Sequence, residues 1–261
     1  MAIIIPANSA VTAAYDVENS CRFNDGDYLS RTLGTPSSLT TSTFSCWVKL
    51  AKGTATGQYD NKLFQAQGTG GCAGVLSIGG DTAAKIYLDQ HNTACTATEA
   101  AYRPTQALRD YSAWYHIMVT TNTGSGTAAD RMILYVNGVR VTAYDSQTTF
   151  DADDTVYWNS TAQSQVHYIG KDFDGYLAEV VFCDGQAYGP TDFGEFDSNS
   201  PTIWKPKDPS GLTFGNNGFY LDFKDSSNLG NDANGGTDWA ENNIAAADQA
   251  TDTPTNNFCT L

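Results

Sequence analysis

Phe44-Ser45-Cys46-Trp47-Val48-Lys49-Leu50 is the stretch that decides the fold. Successive side chains of an extended chain point to opposite sides, so Phe44, Cys46, Val48 and Leu50 share one apolar face. Working outward, Trp114 to Thr121 puts Tyr115, Ile117 and Val119 on one side and Trp114, His116 and Met118 on the other, as in a strand covered on both faces. Asn137-Gly138 separates residues 131–136 from residues 139–142. This is a strong hairpin signal, because both central residues of a type I′ turn need positive φ. Residues 75–78 and 85–88 flank Gly79-Gly80-Asp81 as a second hairpin. Residues 176–183 run into Asp184-Gly185 and then Gln186-Ala187-Tyr188 as a third. Residues 166–170 and 218–223 add strands. Helical signals are confined to one turn at 192–196 and to 240–249, which Asn242-Asn243 interrupts. The prediction is an all-β chain, a two-sheet antiparallel β-sandwich of the jelly-roll kind.

The chain has 261 residues, with 14 Lys+Arg against 29 Asp+Glu and a formal charge of −15. That balance argues against a nucleic-acid partner, which needs clustered cations. Met1-Ala2-Ile3-Ile4-Ile5-Pro6 has no basic flank and too short an apolar run for a cleavable secretion signal, and no stretch approaches a membrane span. Residues 1–19 lie outside the alternating pattern and read as an N-terminal arm, with the sandwich over 20–261. The tail after Asp225 is rich in turn formers and is expected to wrap the sandwich. Of six cysteines, Cys21, Cys46 and Cys183 sit in strand-like runs and read as buried thiols. Cys72 and Cys95 flank one hairpin and are the best disulfide candidates.

Hydrolysis of a glycan needs two carboxylates across the scissile bond. On a strand they would leave a cluster of acids sharing one face, and no such cluster is seen. Glu179 stands alone between Gly175 and Phe182, and Glu195 lies in a loop with Asp192 and Asp197. His91, His116 and His167 lie in separate segments and read as structural histidines. No catalytic residue is assigned. Asp151, Asp153 and Asp154, and Asp172 and Asp174, place oxygen ligands on loops, which suits calcium as a possible cofactor; solvated acidic loops are the alternative. Sugar recognition favours aromatic platforms beside Asp or Asn. Tyr157, Trp158 and Asn159 fit that description, as do Tyr59, Asp60 and Asn61. The alternative for Tyr157 and Trp158 is an inward-facing role near a strand start.

Several segments together resemble the concanavalin A-like lectin/glucanase superfamily, specifically the laminin-G-like jelly rolls of bacteriophage and marine virus virion proteins. They are SCRFNDGDYLSRT at 20–32, FSCWVKL at 44–50, SAWYHIMV at 112–119, MILYVNGVRV at 132–141, YIG at 168–170, FDGYLAEVVFCDGQ at 173–186 and WKPK at 204–207. The closing DTPTNNFCTL at 252–261 is similar to a segment of tail-fibre-like virion proteins, in which the chain usually continues. The resemblance implies a non-enzymatic capsid, tail-fibre or decoration protein on the virion surface, attaching to host-surface glycans. Its arm would contact other virion proteins, and repeated copies or a homo-oligomer would raise weak sugar affinity. Neither nucleic acid nor membrane insertion is expected. The alternatives are a purely structural virion subunit and, last, a glycan hydrolase.

Overall fold

The structure, a computed structural model, describes residues 15–51, 60–79 and 84–256. Two eight-stranded antiparallel sheets stack face to face. The first runs, in spatial order, Val139–Arg140, Met132–Val136, Tyr115–Asn122, Thr41–Leu50, Gly175–Asp184, Ser20–Phe23 and Gln249–Ala250, and Phe219–Leu221 also pairs with Gly175–Asp184. The second runs Tyr144–Thr148, Thr98–Pro104, Lys85–His91, Ala73–Gly79, Lys62–Gln67, Val166–Ile169, Tyr28–Arg31 and Ala240–Asn242. The predicted all-β sandwich is therefore the observed architecture. A short ribbon, Gly194–Phe196 with Trp204–Pro206, lies outside both sheets.

The alternation around Phe44 sets the interior. Phe44, Cys46, Val48 and Leu50 point into the core between the sheets, where Phe44 stacks on Phe64 of the second sheet at 4.9 Å and 3° between ring planes. Phe64 also packs against Trp158 at 5.3 Å and Phe182 at 5.5 Å. The next residue along each strand must face away from the core. Ser45 and Trp47 thus reach the outer side of the first sheet, and Gln65 and Gln67 the outer side of the second.

Asn137 and Gly138 take φ of 49° and 75°, as the hairpin turn requires. A Cβ at Gly138 would lie 2.4 Å from the Trp204 ring, so the turn also needs a residue without one. The second hairpin pairs Ala73–Gly79 with Lys85–His91. The third does not form: Gly175–Asp184 is a central strand, and the chain leaves it at Gly185 (φ 85°). Residues 186–188 then run along the first sheet, where Thr43 Oγ1 donates to the Gln186 carbonyl and Thr120 Oγ1 to that of Tyr188. Residues 190–192 form a single 3-10 turn, and residues 240–250 hold two short strands and another such turn rather than a helix.

Cys72 and Cys95 are joined by a disulfide across 23 residues, and Cys21, Cys46 and Cys183 are buried free thiols, as expected. Asp184, fully buried, ties three loops together. It accepts from the backbone N–H groups of Ser37, Ser38 and Asn217 and from the Asn159 amide. The tail wraps as anticipated, closing one edge of each sheet through Ala240–Asn242 and Gln249–Ala250.

Two neighbouring residues on opposite faces provide a test. Phe64→Ala should cost about 3–5 kcal/mol, the usual range for deleting a buried aromatic ring. Gln65→Ala should cost about 1 kcal/mol or less. Equal shifts of the urea midpoint for the two variants would contradict the assigned facing.

Candidate functional site

The outer faces of the two sheets differ. That of the first sheet is buried by the chain itself. Trp204 stacks on His116 at 6.0 Å and donates its indole N–H to His116 Nδ1 at 3.1 Å, while Phe193 and Phe214 pack over Met118, Val181 and Tyr220. His116 Nε2 lies 2.8 Å from Ser45 Oγ, and burial pulls its pKa down to about 3. His167 is likewise buried, lies against the Trp158 carbonyl at 2.8 Å, and is lowered to about 4. Both are neutral structural histidines.

The second sheet turns long polar and aromatic side chains outward. Register places Ser30, Tyr168, Gln65, Val75, Asp89 and Ala101 in one row across six strands, with Tyr87 beside Ser77 one step along. Along its middle Ser77, Val75 and Asp89 are buried, while Tyr28, Tyr87 and Tyr168 stay partly exposed. At one end Arg103 Nη2 grips both oxygens of Asp89 at 2.7 and 2.8 Å, and its guanidinium lies 4.9 Å from the Tyr87 ring centre. Asp89 is only 4% exposed, so this pair is held rigidly by its surroundings. At the other end the Tyr28 and Tyr168 rings meet edge to face at 5.5 Å, with the Lys171 ammonium 4.0 Å from the Tyr168 ring centre and 5.8 Å from that of Tyr28. Three strand spacings, about 14 Å, separate Asp89 from Tyr168. Between them Gln65 is 7% exposed, and its Oε1 has no hydrogen-bond partner.

This face was missed on sequence. Its trace is three tyrosines, each next to a core aliphatic residue: Tyr28 beside Leu29, Tyr87 between Ile86 and Leu88, and Tyr168 beside Ile169. Period two throws each ring outward.

The residues singled out from sequence behave differently. Tyr157, Trp158 and Asn159 form a 3-10 turn with exposures of 0, 1 and 1%, the two rings lying in the core. They are not a solvent-facing platform; the inward-facing alternative holds, because this turn plugs one end of the sandwich. Tyr59 lies outside the described residues. Asn61 (φ 49°) is a buried loop staple, its amide donating to the Ile78 carbonyl and accepting from the Asp174 N–H. Asp60 adjoins it.

The acidic loops do not converge either. Asp172 pairs with Lys62 and Asp174 with Arg22. The Asp151 N–H and Asp154 Oδ2 close a tight loop at 2.7 Å, while the Asp153 N–H donates to the Thr123 carbonyl. Glu99, absent from the sequence-based set, leans on Asp154; partial burial and that neighbour raise its pKa. Among the described residues the one place where three ligand-type side chains converge is Cys72, His91 and Cys95. There the sulfurs are joined in a disulfide, and His91 Nδ1 accepts the Ala73 N–H. Among the described residues the two acidic loops do not make a calcium cage.

Glu179 occupies a β-bulge. Ala178 faces Trp47 and Val181 faces Ser45, leaving one extra residue, and Glu179 takes φ of 49°. Its Oε2 lies 2.9 Å from the Tyr15 hydroxyl and 2.7 Å from that of Tyr220, and the hydroxyls are 2.8 Å apart. Three mutual contacts need three protons; the tyrosines supply two, and a protonated carboxyl supplies the third. Burial lifts Glu179 to about 7, and raises both tyrosines. Asp222 adds to the Glu179 shift, whereas Lys224 and the two hydroxyls oppose it. Glu195 pairs with Lys205 at 3.1 Å.

Residues 23–187 match the model of the concanavalin A-like lectin/glucanases superfamily. The chain belongs to that superfamily. A crystal structure described as a candidate carbohydrate-binding protein from Bacteroides ovatus superimposes with a TM-score of 0.59 at 17% identity, covering 91% of this chain and 60% of that one. The present chain therefore spans about 60% of that relative's length, and at this identity the likeness speaks for the superfamily fold. A heptameric pentraxin from Limulus polyphemus (TM-score 0.44, 13% identity, 67% of this chain and 80% of that one) and mouse laminin α1 domains LG4–5 (0.41, 12%, 66% and 45%) are more distant. No curated protein matches the sequence.

Glu179 gives a pH test with a definite sign. The folded state keeps a proton that the unfolded chain releases near pH 4.5, so stability falls as pH rises from about 4.5 to about 7. The full penalty above that window is about 3 kcal/mol. Glu179→Gln supplies the third hydrogen bond at every pH. Its melting temperature should match the parent at pH 5 and exceed it at pH 8.5; the same offset at both pH values would refute the protonated triad.

Proposed function

We propose that this chain is a non-enzymatic glycan-binding module whose site is the outer face of the second sheet. The observation that carries the reading is the asymmetry of the sandwich: one outer face is sealed by the chain's own tryptophan and phenylalanines, while the other presents tyrosines, amides and a fixed Arg–Asp pair. A pyranose offers an apolar face and a rim of hydroxyls, and such a surface meets both. Aromatic edges supply apolar contact, and Gln65, Gln67 and Asp89 accept or donate at fixed positions. Membership of a lectin-containing superfamily and the fold of the Bacteroides ovatus protein support the same reading.

A shallow sheet face binds each sugar weakly, so useful affinity calls for many copies. On the sequence resemblance we assign the module to the surface of a virus particle, displayed in repeated copies, with the part of the arm ahead of Tyr15 contacting the neighbouring virion protein and the glycan belonging to the host surface. Electron microscopy of particles labelled with an antibody to this chain tests the location; label confined to host membranes would count against it.

Glycan-array binding tests the site. Tyr28→Ala and Tyr168→Ala should each weaken binding at least tenfold while the fold stays intact by circular dichroism. Arg140→Ala, on the far edge of the first sheet, should leave binding unchanged. Unaltered binding by both tyrosine variants would remove this face from consideration.

A further inference from the structure

The proposed glycan face carries a charge that no carboxylate pairs with among the described residues. Lys171 follows Gly170, whose φ of 72° turns the chain where a Cβ would strike the Phe23 ring at 2.3 Å. Asp172, also at positive φ, completes the turn and is engaged by Lys62. The Lys171 ammonium is thereby set over the Tyr168 and Tyr28 rings, where its one hydrogen bond to the described residues is a 3.4 Å contact to Gln67 Oε1.

An ammonium has three donors. Among the described residues no carboxylate pairs with Lys171, although acids outnumber bases by 29 to 14 in the sequence. Aromatic rings hold a cation through their quadrupole without consuming its N–H donors, so Lys171 is oriented while two donors remain available. At the other end of the face Arg103 is already neutralised by Asp89 in a bidentate pair, and Lys85, on the same strand face as Tyr87 and Asp89, by Asp145. Lys171 is thus the cation of this face left without a carboxylate partner among the described residues, one strand out from Gln65, whose buried Oε1 is itself unpartnered.

Resting on the glycan-binding reading above, we infer that the ligand is an anionic sugar, its carboxylate or sulfate held by Lys171 and its neutral rings running along the sheet toward Asp89 and Arg103. The overall charge of −15 repels polyanions at long range, so capture of such a sugar reports this local contact rather than a general basic surface.

Isothermal titration with three hexasaccharides separates the possibilities: polygalacturonate carrying carboxylates, κ-carrageenan carrying sulfates, and neutral laminarin. The parent should bind at least one anionic probe at least tenfold more tightly than laminarin. Lys171→Gln should erase that preference, while Lys171→Arg should preserve it. Which anionic probe is preferred distinguishes carboxylate from sulfate. Laminarin binding equal to or tighter than both anionic probes, or an anionic preference untouched in Lys171→Gln, overturns the inference while the glycan-binding reading stands. Binding of none of the three by the parent overturns that reading, and the inference with it. A parallel titration of the parent in 0.5 M sodium chloride needs no variant. Loss of the anionic preference there supports a charge contact, and its full retention opposes one.

Discussion

The face-to-face contact of Phe44 with Phe64 is the interaction on which the sandwich turns. Each ring comes from the middle of a central strand of its own sheet, and together they fix which side of both sheets is inside. Once that is settled, the pleat allows no further choice. Gln65, Tyr168 and Asp89 must face outward because Phe64, Ile169 and Leu88 face inward. A slip of one residue in either strand would exchange the core for the surface. The chemistry of the second sheet's outer face is thus a by-product of the register that buries the aromatic core.

The two outer faces then diverge because of what the chain does after residue 184. The segment from 186 to 217 returns across the first sheet, bringing Phe193, Trp204 and Phe214 onto His116, Met118 and Tyr220. That sheet is buried on both sides, which explains why its strands read as nearly continuous apolar runs. On the second sheet the outward tyrosines stay partly exposed, and strands such as Thr98–Pro104 and Val166–Ile169 alternate in burial. Polarity pattern and covering segment are two views of one arrangement.

Fold class and most strands were legible because alternation is local. Phe44 to Leu50 and the Asn137-Gly138 turn needed no knowledge of distant contacts. The failed hairpin after Asp184 shows the limit: Asp-Gly is a turn signal whether the chain reverses or departs, and a buried Asp184 binding loops from residues 37, 159 and 217 is a tertiary fact. The aromatic-plus-acid reading of Tyr157–Asn159 failed for a related reason. A Tyr-Trp pair serves a core plug as well as a sugar platform, and only burial distinguishes them. The three outward tyrosines lie at about residues 28, 87 and 168, so their meeting depends on strand order, which no single segment encodes. The hydrogen bonds of Glu179 to Tyr15 and Tyr220 likewise join residues far apart along the chain.

Strand order also governs how the molecule must be made. Ser20–Phe23 lies between Gly175–Asp184 and Gln249–Ala250, and Tyr28–Arg31 between Val166–Ile169 and Ala240–Asn242. During synthesis these two strands have no mate until residues 166–184 have emerged. Sequence-distant pairing of this kind slows folding and leaves strand edges bare for longer. Closure of both sheets waits on residues 240–250, so a nascent chain arrested before position 240 carries unzipped margins on both sheets.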